Sequence, residues 1–469
     1  MRAAPADMTK ARPTTAESAI RDPQSESGAP PRTASERNAR SVVTRLRRAG
    51  YHAYFAGGCV RDRLRGVEPS DYDVATDAPA ETVQQLFERT VPVGVQFGVV
   101  LVVIDGQPIE VATFRADAEY RDGRHPSSVR FTTAEEDARR RDFTINGMFL
   151  DPESGEVIDY VGGRADIAAR VIRAIGDPRE RFHEDRLRML RAVRFAAGLG
   201  YTIEPATFAA IRALAPEVTG IAWERIGDEI VRILTECPAR AGFELLDATG
   251  LLEPVLPEVT RLKGVEQSPD YHPEGDVFRH TLLILEQLDR PTETLALGAL
   301  LHDIAKPLCM NRTDERITFY GHCEQGETMA IAVCQRLRRS SAVWERVGYL
   351  VRNHLRHLHA PEMRRSTLRR FLAEDGIDEL LDLARIDALA SNRDLRCHDF
   401  CRAQQAAFAN EPLRPPPLVR GRDLLGLGYP PGPLFSEVLK AVEDRQLEGE
   451  LTSREEALEW VQRQYPRSR

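Results

Sequence analysis

The chain has 469 residues, a hydrophobic share of 42% and a charged share of 29%, values typical of a globular protein with about three domains. Its net charge of -8 excludes a uniformly basic surface but is compatible with a local basic groove for phosphate. The apolar run at residues 97–104 is too short to cross a bilayer, and residues 1–35 contain acidic residues and no apolar signal stretch. We therefore expect a cytoplasmic protein without a membrane segment. The seven scattered cysteines predict no disulfide framework.

The pattern of apolar and turn residues changes along the chain. The start is rich in Pro, Ala, Ser and Thr without periodicity, the next part mixes strands with helices, and the remainder is helical. Asp105-Gly106 between two apolar runs predicts a β-hairpin. The predicted parts are a disordered tail at 1–35, an α/β domain at 36–176, a helical domain at 177–265, a second one at 270–410 and a helical tail at 411–469. The predicted elements are strands at 54–56, 72–75, 99–104 and 109–114 and helices at 79–89, 184–197, 206–214, 221–234 and 239–248.

A glycine pair and two carboxylates mark the first candidate site. Gly58 ends the pair, Arg61 follows it, and Asp71 and Asp73 come after a short helix and turn. Residues two apart in a strand point to one side, so we expect both carboxylates to face one space and to hold Mg²⁺ beside substrate phosphates. Glycines let backbone N–H groups approach phosphate, which an arginine neutralises. An Asp-x-Asp pair alone is also common in surface turns, and Glu110 is either a third carboxylate of the site or an exposed edge-strand residue.

Residues 57–62 and 71–76 resemble the first motif of the class II tRNA nucleotidyltransferase and bacterial poly(A) polymerase superfamily. Further similar blocks follow in the family's order at 140–146, 172–178, 181–195 and 224–226. The resemblance implies an α/β nucleotidyltransferase head, a small mixed sheet with helices, followed by an all-α neck and body.

The same resemblance implies roles for single residues. Asp71 and Asp73 would hold the catalytic Mg²⁺ ions, which activate the RNA 3′-hydroxyl and stabilise the leaving pyrophosphate. The implied phosphate- and sugar-binding positions are Gly58, Arg61 and Arg141. A surface ion pair with Asp142 is the alternative for Arg141.

The Glu184-Asp185-x-x-Arg188 segment, predicted as helical, resembles the family's nucleotide selector. Carboxylate accepts hydrogen bonds and guanidinium only donates them, so an Asp185–Arg188 pair facing the pairing edge of a base should accept C and A and reject U and G. No nucleic-acid template is then required. Arg191 and Arg194 follow at three-residue steps and match further nucleotide-contacting positions, with a solvated charged face as the alternative.

Two stretches separate the branches of the superfamily. Residues 93–98 lack the basic Gly-Arg-Arg-Phe stretch of poly(A) polymerases, and residues 120–126 resemble the flexible loop of the CCA-adding branch, although Gly147 stands where the family more often has alanine. The resemblance thus implies template-independent addition of CMP and AMP, from CTP and ATP, to the tRNA 3′ end.

The alternatives within the class are an enzyme that adds only CC or only A, or a poly(A) polymerase. A metal-dependent phosphohydrolase with an RNA-binding head is the rival from another class. The C-terminal tail resembles the body that holds the tRNA acceptor arm. Candidates for phosphate contacts, or else surface ion pairs, are Arg364, Arg365, Arg369 and Arg370.

A second constellation of ligand-type residues lies in the second helical domain. Histidine, then His-Asp, then a distant aspartate is the ligand set of the HD phosphohydrolase family, which the segment resembles, and two further histidines match its dinuclear members. The implied ligands of an unidentified divalent metal are His280, His302, Asp303, His322, His354 and Asp387. A metal-free, purely structural HD domain is the alternative. We interpret His357 and His359 as surface residues and exclude zinc at Cys397, His398 and Cys401.

Overall fold

The computed structural model describes residues 33–94, 97–117, 129–268, 272–273, 275–313, 316–408 and 415–466. Nearly all of the predicted tail and the whole predicted loop at 120–126 lie outside these residues. The chain forms two compact units, Met1–Arg188 with Gly200–Ala210 and Met189–Leu199 with Ile211–Arg469.

A seven-stranded mixed sheet organises the first unit, in the order β3-β4-β5-β2-β1-β8-β9. Strands β2 and β5 are parallel, with Val74 opposite Val111, and the other neighbours are antiparallel. Buried apolar side chains such as Phe55 and Phe149 pack on the sheet. The strands are β1 (Ala53–Ala56), β2 (Asp73–Thr76), β3 (Thr90–Gly94), β4 (Val99–Ile104), β5 (Gln107–Thr113), β6 (Arg115–Asp117), β7 (Val129–Phe131), β8 (Met148–Leu150), β9 (Val157–Asp159), β10 (Val171–Ile172) and β11 (Thr202–Ile203).

The predicted hairpin is confirmed, with Ile104 opposite Gln107 and positive φ angles of 49° at Asp105 and 79° at Gly106. Both residue types tolerate this left-handed conformation, which two-residue hairpin turns require. The helices of this unit are α1 (Ala34–Arg48), α2 (Gly58–Leu64), α3 (Ala80–Leu86), α4 (Ala134–Arg140), α5 (Gly163–Ala169) and α6 (Pro178–Glu184). Helix α7 (Leu187–Leu199) belongs mostly to the second unit, and α8 (Pro205–Leu214) is divided between the two units.

The helix predicted near 184–197 is confirmed as α7, but it begins three residues later than predicted. Helix α6 ends at Glu184 and α7 begins at Leu187, because Asp185 adopts an extended backbone and its carboxylate accepts a hydrogen bond from the Leu187 N–H at 3.1 Å. A side chain that satisfies a free N–H at a helix start favours a new helix over continuation of the old one.

The second unit is helical apart from a hairpin of β12 (Asn311–Arg312) and β13 (Ile317–Thr318). Its helices are α9 (Trp223–Glu236), α10 (Ala239–Ala248), α11 (Leu252–Val255), α12 (Pro257–Thr260), α13 (Val277–Glu286), α14 (Glu293–Leu301), α15 (Lys306–Cys309), α16 (His322–Arg336), α17 (Ser341–Asn353), α18 (Arg365–Leu372), α19 (Ile377–Ala390), α20 (Arg396–Ala407), α21 (Gly421–Gly426), α22 (Pro433–Glu448) and α23 (Arg454–Gln464). Helix α14 is apolar almost all round and is buried, as expected of a central helix. The expected fold class, an α/β head followed by all-α parts, is confirmed. Within the described part of the chain, every helix is too short or too polar to span a membrane.

Candidate functional site

Three carboxylates surround the start of strand β2. Asp73 is its first residue, and since Val74 pairs with Val111 on the parallel strand β5, Glu110 precedes that pair beside Asp73. Burial and the negative charges of Glu110 and Asp71 raise the pKa of the Asp73 carboxyl to about 7. Glu110, which the sequence left open, is therefore a neighbour of this site.

Asp71 does not lie in the strand, as the two-residue spacing had predicted, but two residues before it. The pKa of Glu110 is raised as well, by loss of hydration and by the charge of Asp71, although the Glu110 side chain keeps contact with solvent. Carboxylates that raise one another's pKa are stabilised by a bound cation. Oxygen donors of this kind fit Mg²⁺.

Arg141 and the Asp73 carboxylate both lie beside Gly57, in the turn before helix α2. Gly57 has a φ of 73°, a conformation that favours glycine, and a Cβ atom there would lie in ordinary contact with Arg141 Nη1 at 3.4 Å and Asp73 Oδ2 at 3.9 Å, so both groups face this turn. Gly58 is the first residue of α2, and Arg61 on that helix donates to Asn146 Oδ1 at 2.9 Å.

Arg141 pairs with Asp137 at 3.0 Å and donates to the Asn146 carbonyl at 3.3 Å. Asp142, the partner considered from the sequence, instead accepts from the Phe143 N–H and the Asn146 side-chain amide. The Arg141 guanidinium is thus held by Asp137, next to the carboxylate group.

Arg188 of the predicted selector is buried and tightly held. Its guanidinium donates to Glu184 Oε2 at 2.6 Å and to the carbonyls of Arg181 and Arg140 at 3.0 and 3.1 Å. These bonds use three of its five N–H donors, and in the described structure two remain for another acceptor. Asp185 caps α7 rather than lying within a helix. Base selection by the pair stays a prediction.

The other predicted nucleotide-contacting arginines differ in their surroundings. Arg194 is buried and pairs with the equally buried Glu229 at 2.6 Å, so the solvated charged face considered for it is wrong. The Arg191 guanidinium lies 5.3 Å from the centre of the Phe195 ring. Contact of either arginine with a nucleotide stays a prediction.

The histidines of the second constellation converge in the second unit. The Nδ1 atoms of His302, His322 and His354 lie 2.9, 2.7 and 2.8 Å from the carbonyl oxygen three residues earlier in each case. A carbonyl only accepts, so each Nδ1 carries a proton, and in the neutral imidazole each Nε2 then presents a lone pair. This orientation is the one that metal-binding histidines adopt.

Asp303 lies among these lone pairs. Its Oδ2 is 3.1 Å from His302 Nε2 and 2.6 Å from Lys306 Nζ, and its Oδ1 is 3.6 Å from His322 Nε2 and 3.9 Å from His354 Nε2. Although burial alone would raise it, His302 and Lys306 hold the pKa of Asp303 well below its usual range. Burial and His302 lower the pKa of His354 to about 3, so this imidazole is neutral at pH 7 and able to bind a metal.

Five of the six predicted HD residues fall into two groups of ligand atoms, and Asp303 contacts His302 of the first group and lies near His322 of the second. His280 Nε2 is 3.1 Å from Asp387 Oδ1, and these two residues and His302 place ligand atoms within 4.8 Å of one another. His322 and His354 form the second group together with Cys323. The donor sets of both groups fit divalent metal ions.

Sequence reasoning missed two residues of this region, Lys306 and Cys323. Lys306 follows Asp303 by three residues, a spacing that places side chains on one helical face, and Cys323 adjoins His322. The interpretation of His357 as a surface residue is wrong, because it is buried with Nδ1 2.9 Å from the His354 carbonyl. His359 is exposed, as expected.

At least three of the four arginines considered for phosphate contacts have protein partners, and the Arg365 guanidinium lies 5.7 Å from the centre of the Phe408 ring. Arg370 pairs with Glu443 and Asp444, and Arg369 is buried with its guanidinium 4.8 Å from the centre of the Phe408 ring. Ion pairing and packing account for both.

Three family models match the chain: the poly A polymerase head domain at residues 53–173, the probable RNA and SrmB-binding site of polymerase A at 200–263 and the HD domain at 275–392. The chain is similar to the CCA-adding enzyme of Levilactobacillus brevis, with 46% identity over 45% of this chain and 54% of that protein. The chain thus spans about half the length of that relative. The crystal structure of the Bacillus stearothermophilus CCA-adding enzyme in complex with CTP is similar over 92% of this chain and 98% of its own, at 27% identity and a TM-score of 0.71.

One relative matches almost from end to end. The A-adding tRNA nucleotidyltransferase of Deinococcus radiodurans is 33% identical over 434 residues, which cover 88% of this chain and 95% of that protein. The head domain, the RNA-binding segment and the HD domain follow one another in this chain. The chain therefore belongs to the tRNA nucleotidyltransferase family.

Proposed function

We propose that the protein adds CMP and AMP, from CTP and ATP, to the 3′ end of tRNA without a nucleic-acid template and releases pyrophosphate. The observation that carries this proposal is the group of Asp71, Asp73 and Glu110 beside Arg141, in a chain similar to CCA-adding enzymes. Cytoplasmic tRNA, bound by its acceptor arm, is the proposed partner.

Each part of the head has a task in this proposal. Asp71 and Asp73 would hold Mg²⁺, which supplies charge stabilisation to the triphosphate and the RNA 3′-oxygen. Arg61 and Arg141 are placed to neutralise phosphate oxygens. The bonds that fix Arg188 reduce the conformational entropy lost when its two remaining N–H groups bind a base.

Addition of A alone is the second candidate, because the relative that matches almost from end to end is an A-adding enzyme. Three tRNA transcripts distinguish the candidates, one ending before the CCA sequence, one after the first C and one after both. Each is incubated with CTP and ATP together, with one of the two labelled, and with each triphosphate alone.

A CCA-adding enzyme extends all three transcripts to the same complete end. An A-adding enzyme extends only the third, and a poly(A) polymerase makes long A tails. The variants Asp71→Ala and Asp73→Ala should lose incorporation while tRNA binding is kept. Turnover within tenfold of the parent in both variants would refute the assignment of the site.

We further infer that the HD domain hydrolyses phosphate esters with a bound divalent metal. The supporting observation is the convergence of three Nε2 lone pairs on Asp303, since acceptors that face one another in a buried site are satisfied by a cation. Metal-bound water is acidic enough to attack phosphorus at neutral pH. The test is hydrolysis of a cyclic-phosphate or nitrophenyl-phosphate substrate with Mg²⁺, Mn²⁺, Ni²⁺ and Co²⁺ in turn. Hydrolysis by none of them would leave the domain as scaffold.

A further inference from the structure

Four residues of the HD domain bring ligand-type atoms close together. The ligand atoms of His322, Cys323 and His354 lie within 4.8 Å of one another, and Cys323 Sγ is 3.9 Å from His354 Nδ1. His322 Nε2 lies 3.4 Å from His354 Nε2, 3.6 Å from Asp303 Oδ1 and 3.7 Å from Cys323 Sγ. His354 Nε2 lies 3.9 Å from Asp303 Oδ1. Tetrahedral zinc, with Zn–N of about 2.0–2.1 Å and Zn–S of about 2.3 Å, places its ligand atoms roughly 3.3–3.6 Å apart. The distances among His322 Nε2, His354 Nε2 and Asp303 Oδ1, from 3.4 to 3.9 Å, are close to this spacing. Cys323 Sγ completes the set when it turns from His354 Nδ1 toward the Nε2 atoms.

The positions of the protons on the His322 and His354 imidazoles favour a cation between their Nε2 atoms. His322 and His354 each direct the Nδ1 proton to a backbone carbonyl, so their Nε2 atoms face each other with lone pairs at 3.4 Å. The third atom, Asp303 Oδ1, is also an acceptor. Three acceptors without a proton between them repel one another unless a cation binds. His354 is 2% exposed, so bulk water does not relieve this repulsion.

The two carboxylate oxygens of Asp303 have different neighbours. The Lys306 ammonium group is 2.6 Å from Oδ2, which also faces His302, and Oδ1 is left toward His322 and His354. Cys323 is the second residue of helix α16, directly after His322, and it is partly exposed. A metal can therefore reach its sulfur from solvent.

We propose that Cys323 is a thiolate ligand of one metal ion, together with His322, His354 and Asp303, and that the sulfur makes this position selective for thiophilic Zn²⁺ or Co²⁺ over Mg²⁺. Binding replaces the S–H bond by a sulfur–metal bond and releases the proton to solvent. Soft thiolate ligands favour zinc-like metals, whereas magnesium is held by oxygen. The inference rests on the metal binding proposed for the HD domain and adds the ligand and the metal class.

Cobalt titration of the metal-stripped, full-length protein tests this assignment, because a thiolate bound to Co²⁺ gives a near-ultraviolet charge-transfer band that nitrogen and oxygen ligands do not give. The variants are Cys323→Ser, which removes the soft ligand, and Cys323→Asp, which replaces it by a hard one. The matched control is Cys309→Ser, a nearby thiol that contacts Gln325 Oε1 at 3.1 Å.

The parent and Cys309→Ser should show the band, and excess Zn²⁺ should remove it. Both Cys323 variants should lack it, Cys323→Ser with Co²⁺ affinity reduced by about tenfold or more. Cys323→Asp should keep metal binding but bind Mn²⁺ more tightly relative to Zn²⁺ than the parent does.

Co²⁺ binding by the parent without the band, or a band that persists in Cys323→Ser, would overturn the assignment of the sulfur ligand. The hydrolase proposal is read separately, from the phosphate-ester assay. A parent that shows the band but hydrolyses no phosphate ester would refute the hydrolase proposal and support the sulfur ligand. A parent that hydrolyses the ester with Co²⁺ bound but shows no band would support the hydrolase proposal and refute the sulfur ligand.

Discussion

Replacing Asp73 by asparagine should stabilise the metal-free head at high pH. The pKa of this carboxyl is about 7 in the folded head against an ordinary 3.8, because the carboxyl is buried beside Glu110 and Asp71. At about 1.36 kcal/mol per pKa unit, the ionised side chain costs the fold roughly 4 kcal/mol at pH 8.

The sign follows from proton binding. Between pH 4 and pH 7 the folded head keeps a proton that the unfolded chain releases, so stability falls as the pH rises and levels off above the folded pKa. At pH 5 the same relation gives a cost of only about 2 kcal/mol. The gain from Asp73→Asn should therefore be about 2 to 3 kcal/mol larger at pH 8, or on the order of 30-fold to 150-fold in the opening constant.

Hydrogen–deuterium exchange of peptides from β2 and β5, in the presence of chelator, measures this difference. Tryptophan fluorescence is unsuitable because Trp223, Trp344 and Trp460 all lie in the second unit. The matched control is Asp105→Asn, an exposed carboxyl in the hairpin turn of the same sheet, which should change exchange little. Mg²⁺ should slow exchange in the parent but not in Asp73→Asn. Equal exchange of parent and Asp73→Asn at pH 8, or the same gain at both pH values, would refute the reasoning.

Three further variants test the other assignments. Exchanging the donor and acceptor character of Asp185 and Arg188 should relax discrimination against UTP and GTP by about tenfold to a hundredfold, as expected for a lost polar pair, and unchanged preference in both single variants would place the selector elsewhere. Asp303→Ala should abolish metal-stimulated phosphate-ester hydrolysis and leave CMP incorporation nearly unchanged; hydrolysis that survives would contradict the HD site. Arg194→Met should lower stability in urea by about 3–5 kcal/mol because Glu229 is left as a buried, unpaired charge. Adding Glu229→Gln should recover part of that loss, and a raised KM for nucleotide with unchanged stability would show instead that Arg194 contacts substrate.

The features that the sequence predicted well are those set by neighbouring residues or by the order of family blocks. The Asp105-Gly106 turn is an example, because its conformation depends on two residue types alone. The position of Glu110 beside Asp73 depends on the parallel pairing of β2 with β5, which residue spacing does not determine. Arg194 shows the same limit, because the buried partner that neutralises it, Glu229, comes 35 residues later on another helix.

Local propensity also misled at the end of helix α6. The residues around Glu184 and Arg188 favour helix, and a continuous helix would place both on one face. In the structure the helix is instead interrupted at Asp185, and the Glu184 and Arg188 side chains still form an ion pair at 2.6 Å. The break lets the Arg188 guanidinium also reach the carbonyls of Arg181 and Arg140, so the conformation that contradicts propensity is the one that fixes the predicted selector.

The orientation of two metal-site histidines could have been predicted from their positions at the ends of helices. His302 and His354 each cap the C-terminus of a helix, where the last carbonyls lack an N–H partner within the helix. In both, Nδ1 donates to the carbonyl three residues earlier, which satisfies that oxygen and at the same time fixes the tautomer. The Nε2 lone pair must then point away from the helix, toward Asp303. A histidine at the C-cap of a helix with a buried face is therefore a local signal for an inward-facing ligand, and the resemblance to HD proteins identified these residues without using it.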